Sequence, residues 1–152
     1  MKTTVDPRQV YQESAARGAT PIELVILLYD SAIDDMRRAL TAMQQSEIEK
    51  RSAQIAHALI VLQQLQGTLD FERGGSAARQ FEQFYNLVRA KLLEAQIRGS
   101  SELMRQQIAC MSEVRDSWAQ ARQLLQPVTG APAVPAAMPA ELEGGSTSEW
   151  NA

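Results

Sequence analysis

The chain of 152 residues is long enough for one domain with a hydrophobic core and too short for two of ordinary size. Its composition, 45% hydrophobic and 22% charged, is typical of a globular protein. The net charge of −3 comes from acidic residues near the C-terminus, and the near-neutral remainder argues against a phosphate-neutralising surface. Nucleic acid is therefore not an expected partner.

Residues 1–19 show neither the apolar core of a secretory signal nor a membrane-spanning run. Since no later apolar run reaches the roughly 18 residues that a spanning helix needs, we expect a cytoplasmic protein without membrane insertion. The single cysteine, Cys110, excludes an internal disulfide and fits a reducing compartment. A short helix is predicted around residues 10–17, ending at Gly18.

The first long helix is predicted from Pro21 to Gln44. Thr20 as N-cap, proline at the first helical position and Glu23 at the third form a capping box. Ser46 and Glu49 repeat that pattern and predict a second helix reaching position 66 or somewhat further.

A glycine pair, Gly74 and Gly75, is expected to separate the second helix from a third that Ser76 caps. Gly99 is expected to end the third helix in the left-handed conformation. Ser100 or Ser101 then caps a fourth helix that ends before Pro127. Short connections make consecutive helices antiparallel, so the predicted fold is an all-α, up-down-up-down four-helix bundle.

Three regions follow from this pattern: an N-terminal segment (1–19), a four-helix bundle (20–126) and a C-terminal tail (127–152). The tail is rich in Pro, Ala, Gly and Ser, and this composition cannot bury enough apolar surface to offset the cost of ordering. We therefore expect the tail to be disordered.

A catalytic or metal site is not expected. Di-iron helical bundles need two Glu-x-x-His motifs, but the only histidine, His57, follows Gln54 by three residues. One His and one Cys cannot form a zinc site. His57 is expected on the surface, Cys110 as a buried thiol and Asp34-Asp35 on a solvated helix face. The sequence thus predicts a protein that is not an enzyme and that uses no cofactor.

The helices carry more apolar residues than one buried stripe requires. In the first helix, Leu24 and Leu27 project opposite the core stripe and Leu28 lies at its edge. In the second helix, Ile60 and Val61 leave the stripe on either side. The expected core stripe of that helix is Ile48, Ile55, Leu59, Leu62 and Leu69. In the third helix, the apolar residues off the stripe are Leu87, Leu93 and Ile97.

Two explanations of these residues involve no partner: scattered exposed leucines are common, and helix rotation or the N-terminal segment could cover them. Their concentration in short runs instead favours a groove for an amphipathic helix or extended chain. The predicted partner-binding residues are Tyr11, Leu24, Leu27, Leu28, Ile60 and Val61. Val10 and Tyr11 are predicted to form a movable N-terminal gate over this surface.

Several stretches resemble the flagellin-specific export chaperones of the FliS family. The stretch VYQESAARGATPIELVILLYDSAIDDMRRAL (10–40) carries the family's early tyrosine (Tyr11), its proline and its Leu-Tyr-Asp sequence. TLDFE (68–72) and EVRDSWAQA (113–121) resemble the end of the family's second helix and its closing Arg-Asp-x-Trp motif. LLEAQIRGS (92–100) resembles the end of its third helix, with Gln96 where asparagine is more usual. The resemblance covers about residues 5–125.

The resemblance implies a non-enzymatic, cytoplasmic helical bundle that binds the disordered C-terminal segment of flagellin, with an expected 1:1 ratio. It implies that the bound flagellin cannot polymerise prematurely and stays competent for type III flagellar export, so the export apparatus is a further expected partner. It also gives Tyr11 a gating role. The alternative is a non-catalytic adaptor whose exposed leucines serve homodimerisation.

Overall fold

A computed structural model describes residue 18 and residues 20–125. These form four helices: α1 (Pro21–Gln44), α2 (Ile48–Gly67), α3 (Phe71–Arg98) and α4 (Ser101–Leu125). Each helix packs against its neighbours in the cyclic order α1–α2–α3–α4–α1. Along α2–α3, Gln96 donates to Ser52 and Gln66 donates to Asn86, which shows that these two helices are antiparallel. The predicted all-α four-helix bundle is confirmed.

The start of α1 agrees with the capping box in the sequence. The Thr20 hydroxyl accepts a hydrogen bond from the Glu23 backbone N–H at 3.3 Å, and the Glu23 carboxylate accepts one from the Thr20 N–H at 2.9 Å. These bonds satisfy two donors that a helix N-terminus would otherwise leave unpaired. The bond from the Thr20 N–H to the Glu23 carboxylate, together with one from the Thr20 hydroxyl at 3.0 Å, also lowers the pKa of Glu23. Glu23 interrupts an otherwise apolar run over residues 22–29, and its place there is explained by its role in starting α1.

The connection after α1 differs from the prediction. Ser46 does not cap α2; it adopts a left-handed conformation with φ of 57°, and Glu47 occupies the N-cap position without a side-chain bond. The Glu47 N–H donates to the Ala42 carbonyl and the Ser46 N–H to the Met43 carbonyl. This pair of bonds is the Schellman arrangement that closes a helix C-terminus. Ser46 therefore ends α1, and the capping box predicted there is wrong.

The predicted boundary between the second and third helices is also shifted. Asp70, not Ser76, caps α3, because its carboxylate accepts hydrogen bonds from the Glu72 and Arg73 N–H groups at 3.1 Å. The glycine pair lies inside α3, where Gly75 has φ of 53° and ψ of −127° and kinks the helix. Glycine reaches this conformation without the clash that a Cβ atom would cause. Gly75 is therefore non-helical and marks a kink between two helical segments joined as α3, so the predicted break at the glycine pair is present, but the segment before it starts at Phe71 and is not part of α2.

The turn from α3 to α4 follows the prediction. Gly99 has φ of 62°, the left-handed conformation expected after a helix C-terminus. The Ser100 hydroxyl accepts a hydrogen bond from the Leu103 N–H at 3.1 Å, which identifies Ser100 as the residue that caps α4. This connection is short and forces α4 to return along α3.

Aromatic residues from three helices meet in the core. The Tyr29 hydroxyl of α1 donates to the Tyr85 hydroxyl of α3 at 2.8 Å, and both side chains are fully buried. Burial raises the pKa of both hydroxyls. The Phe81 ring of α3 lies 5.3 Å from that of Trp118 on α4. Of the predicted α2 core stripe, Ile55 and Leu62 are buried and Leu59 and Leu69 partly so, but Ile48 at the helix start is 62% exposed.

Candidate partner-binding surface

Large apolar side chains remain exposed on the outer faces of the described bundle. Leu27 on α1 is 39% exposed and Ile60 on α2 is 43% exposed, as the sequence predicted. Three more lie on α3: Leu87, Leu93 and Ile97. Others lie near helix ends: Ile48, Phe71 and Leu124. Exposed apolar residues on all four helices give the protein a surface that another apolar face could cover.

Three of the predicted surface residues are buried instead. Leu28 and Val61 belong to the core, with exposures of 1% and 0%, and Leu24 is 7% exposed. The expectation that these side chains are exposed is therefore wrong. Because α1 packs against both α2 and α4, its buried arc is wider than the single stripe assumed from the sequence. Leu24 lies at the margin of this arc and outside the contiguous core cluster.

The same wide arc explains a buried polar pair that the sequence did not reveal. Asp35 lies seven residues after Leu28, close to the same side of α1, and is only 2% exposed. Its carboxylate lies 2.5 Å from Nδ1 of His57 on α2, whose side chain is 12% exposed. His57 is thus not the surface residue that was predicted, and of the Asp34-Asp35 pair only Asp34 faces solvent.

The contact between Asp35 and His57 joins α1 to α2 and gives a reference point for the exposed residues of these two helices. Leu27 lies about two turns before Asp35 on α1, and Ile60 lies about one turn after His57 on α2. Because the two helices run in opposite directions, Leu27 and Ile60 lie on the same side of the pair along the bundle axis. Leu27 and Ile60 are therefore exposed on adjacent helices, toward the same end of the α1–α2 pair.

The Leu-Tyr-Asp and Arg-Asp-x-Trp motifs meet in space. Arg115 on α4 donates to both carboxylate oxygens of Asp30 on α1, at 2.8 and 3.4 Å. The hydrogen bond to Asp30 is the main cause of a raised Arg115 pKa. Tyr29 and Trp118, the aromatic residues of the same motifs, are buried in the core. These motif residues hold α1 against α3 and α4, and their role in this structure is to maintain the fold.

Val10 and Tyr11, the predicted gate, lie outside the described residues. Cys110 was expected to be buried; it is partly exposed and packs against the core. Within the described part of the chain, no group of three or more His, Cys, Asp or Glu residues could hold a metal ion. In the same part, no helix is long and apolar enough to cross a membrane.

Comparison with known proteins identifies the family to which this architecture belongs. A family model described as flagellar protein FliS matches residues 4–124, which include all four helices except the last residue of α4. The chain belongs to the FliS family. The residues that form the Asp30–Arg115 and Tyr29–Tyr85 contacts all lie within the matched range.

Individual FliS-family relatives agree with this assignment. The flagellar secretion chaperone FliSB of Pseudomonas aeruginosa is 29% identical over 118 residues, covering 78% of this chain and 94% of the relative. The flagellar secretion chaperone FliS of Salmonella typhimurium is 26% identical over 113 residues, covering 74% and 84%. That of Bacillus subtilis is 26% identical over 120 residues, covering 78% and 87%. This chain is therefore a member of a family of flagellar secretion chaperones.

Proposed function

We propose that this FliS-family protein is a cytoplasmic, non-enzymatic chaperone that binds the C-terminal segment of flagellin in a 1:1 complex. It would keep that segment from polymerising and would deliver it to the flagellar export apparatus. Family membership supports the chaperone role. The observation that carries the binding role is the exposure of Leu27 and Ile60 on adjacent helices, toward the same end of the α1–α2 pair.

The apolar surface suits a disordered partner that becomes helical when it binds. An amphipathic helix can place its apolar face against Leu27 and Ile60 and remove both from water. Coupled folding and binding can bury on the order of 1,000–3,000 Å² while a part of the binding energy is spent on ordering the segment. Such a complex is specific and still releasable, as a chaperone that hands over its partner requires.

Calorimetric titration with a peptide of the flagellin C-terminal segment tests this function. We expect 1:1 binding with a negative heat-capacity change, because apolar surface is buried. The double substitution Leu27→Asp/Ile60→Asp should weaken binding by at least about a hundredfold, since it places two charges in an apolar interface. The matched control is Leu124→Asp, which changes an 84% exposed leucine at the end of α4.

The outcome also separates this function from homodimerisation. Light scattering after size exclusion would reveal a dimer of the free protein that Leu27→Asp/Ile60→Asp dissociates. That result, together with no heat and no co-elution with the flagellin peptide, would overturn the chaperone proposal. Equal weakening by Leu124→Asp would instead show that the α1–α2 surface is not the binding site.

The N-terminal segment is proposed to act as a gate on the same surface, with Val10 and Tyr11 supplying the apolar contact. If the N-terminal segment competes with flagellin for this surface, the apparent affinity of the protein for flagellin is lowered, because the segment occupies the surface in a fraction of the molecules. Tyr11→Ala should therefore tighten binding several-fold in the same titration. Weaker binding by Tyr11→Ala would show that Tyr11 contacts the partner directly. Unchanged binding would show that Tyr11 does not act as a gate.

A further inference from the structure

Arg89 bridges the outer edge of the α2–α3 pair. Its Nη2 donates to the Gln66 side-chain carbonyl on α2 at 2.5 Å, and its Nη1 donates to Asn86 on α3 at 3.1 Å. The Gln66 amide in turn donates to the same Asn86 oxygen at 2.7 Å. The three side chains form a closed ring of hydrogen bonds. This ring holds the planar guanidinium in one orientation across the seam between two helices.

The positive charge of Arg89 is not neutralised within the ring. Gln66 and Asn86 are uncharged, and no carboxylate of residues 20–125 lies within 4.0 Å of the Arg89 guanidinium. Arg115 differs, since two carboxylate oxygens of Asp30 bind it. A guanidinium has five N–H donors, and the ring uses one from each terminal nitrogen. The others make no hydrogen bond with residues 20–125, and the Arg89 side chain is partly exposed to solvent.

Two exposed apolar residues continue the line that starts at Arg89. Leu93 and Ile97 follow at intervals of four residues, so the three side chains lie in one row along α3. Leu93 is 44% exposed and Ile97 is 85% exposed. The row therefore presents one oriented cation and then two apolar side chains, a pattern that an amphipathic helix can complement with its own row.

We propose that Arg89 is a specificity-determining residue of the partner surface. It binds a carboxylate on a helical segment of the partner, and the apolar side chains one and two turns away on that segment cover Leu93 and Ile97. The occupant is thus an amphipathic helix with an Asp or Glu at one end of an apolar row. This inference rests on the proposed function, because the helix belongs to the flagellin segment.

Charge complementarity selects a carboxylate in preference to an uncharged acceptor. A covering helix removes water from Arg89, and a desolvated cation without a counter-charge is costly. Two oxygens of a carboxylate match the fork of the guanidinium, and such charge-assisted bonds are about twice as strong as neutral ones. Because the Gln66–Asn86 ring already orients the side chain, little conformational freedom is lost when the partner binds.

The test titrates full-length protein with the flagellin C-terminal peptide at low and high salt. Arg89→Gln should weaken binding by about tenfold at low salt and reduce the salt dependence, because it removes the charge. Arg89→Lys should retain the salt dependence, since lysine keeps the positive charge but cannot form the paired hydrogen bonds of a guanidinium. The control is Arg105→Gln, which changes an exposed arginine on α4 and should alter the affinity by less than about twofold.

Substituting each Asp and Glu of the peptide in turn, to Asn or Gln, identifies the partner carboxylate. One of these changes should weaken binding to the wild type about tenfold and have little effect on Arg89→Gln. This non-additivity distinguishes direct recognition from a structural effect of the substitution. If the wild type binds but every acidic position behaves alike, the inference is wrong and the proposed function stands. If the wild type does not bind, the proposed function itself fails.

Discussion

Leu28→Ala is expected to lower the free energy of unfolding by about 2–5 kcal/mol, the usual cost of removing a buried leucine side chain. Leu28 is 1% exposed and packs in the core cluster. The neighbouring change, Leu27→Ala, is the matched control, because Leu27 is 39% exposed. It should alter the free energy of unfolding by no more than about 0.5 kcal/mol. Urea unfolding monitored by circular dichroism measures both values.

The contrast between Leu27 and Leu28 decides how the binding surface can be tested. An aspartate at position 28 would place a charge in the core and unfold the bundle, so lost binding would say nothing about contact with the partner. An aspartate at position 27 leaves the core intact. Equal destabilisation by Leu27→Ala and Leu28→Ala would contradict the burial of α1 described above, and with it the choice of Leu27 as a contact residue.

His57→Leu is expected to lower the free energy of unfolding by about 3–5 kcal/mol at neutral pH. The substitution leaves the Asp35 carboxylate buried without the imidazole that lies 2.5 Å from it. An unpaired buried carboxylate is costly because it loses its hydration and gains no counter-charge. Asp35→Asn should cost less, since the amide oxygen can still accept a hydrogen bond from Nδ1–H.

The pH dependence of the His57→Leu effect follows from the Asp35 pKa. Burial raises this pKa above its usual value, while the hydrogen bond and charge of His57 and the nearby Arg38 lower it and Asp34 raises it. The folded state therefore binds a proton more tightly than the unfolded chain, so this group favours folding at acidic pH and loses that contribution as the pH rises through the folded pKa. The substitution His57→Leu removes two effects that lower the Asp35 pKa. In the variant the contribution of Asp35 to stability is therefore lost over a range that extends to higher pH.

The stability difference between wild type and His57→Leu should accordingly grow as the pH rises from about 4 to 7. Chemical unfolding at several pH values measures this difference. A constant difference across the range would show that the Asp35 carboxylate does not titrate differently in the two proteins. A difference below about 1 kcal/mol at neutral pH would show that the pair contributes little to stability.

The predicted helix ends are correct where a few residues close together in the sequence determine the capping. Thr20 and Glu23 form their capping box, and Gly99 and Ser100 end one helix and start the next. Ser46 shows the limit of such signals. A small polar residue can start a helix or close the preceding one, and the backbone bonds to Ala42 and Met43 select the second role here.

The candidate surface was predicted only in part. Leu27 and Ile60 are exposed as the helical projection indicated, whereas Leu24, Leu28 and Val61 are buried. A projection gives the angle of a side chain around its own helix, but not the number of helices packed beside it. Arg89 carried no sequence signal, because its orientation depends on Gln66, a residue 23 positions away on another helix.

The sequence by itself determined the helical fold class and, within residues 20–125, the number of helices and most of their ends, because helical periodicity and capping act between residues a few positions apart. It also carried the family motifs. Only the tertiary structure decided which apolar residues remain outside the core, that Asp35 and His57 meet between α1 and α2, and that Arg89 is held across α2 and α3. These features depend on contacts between residues of different helices, which the periodic pattern of one helix does not specify.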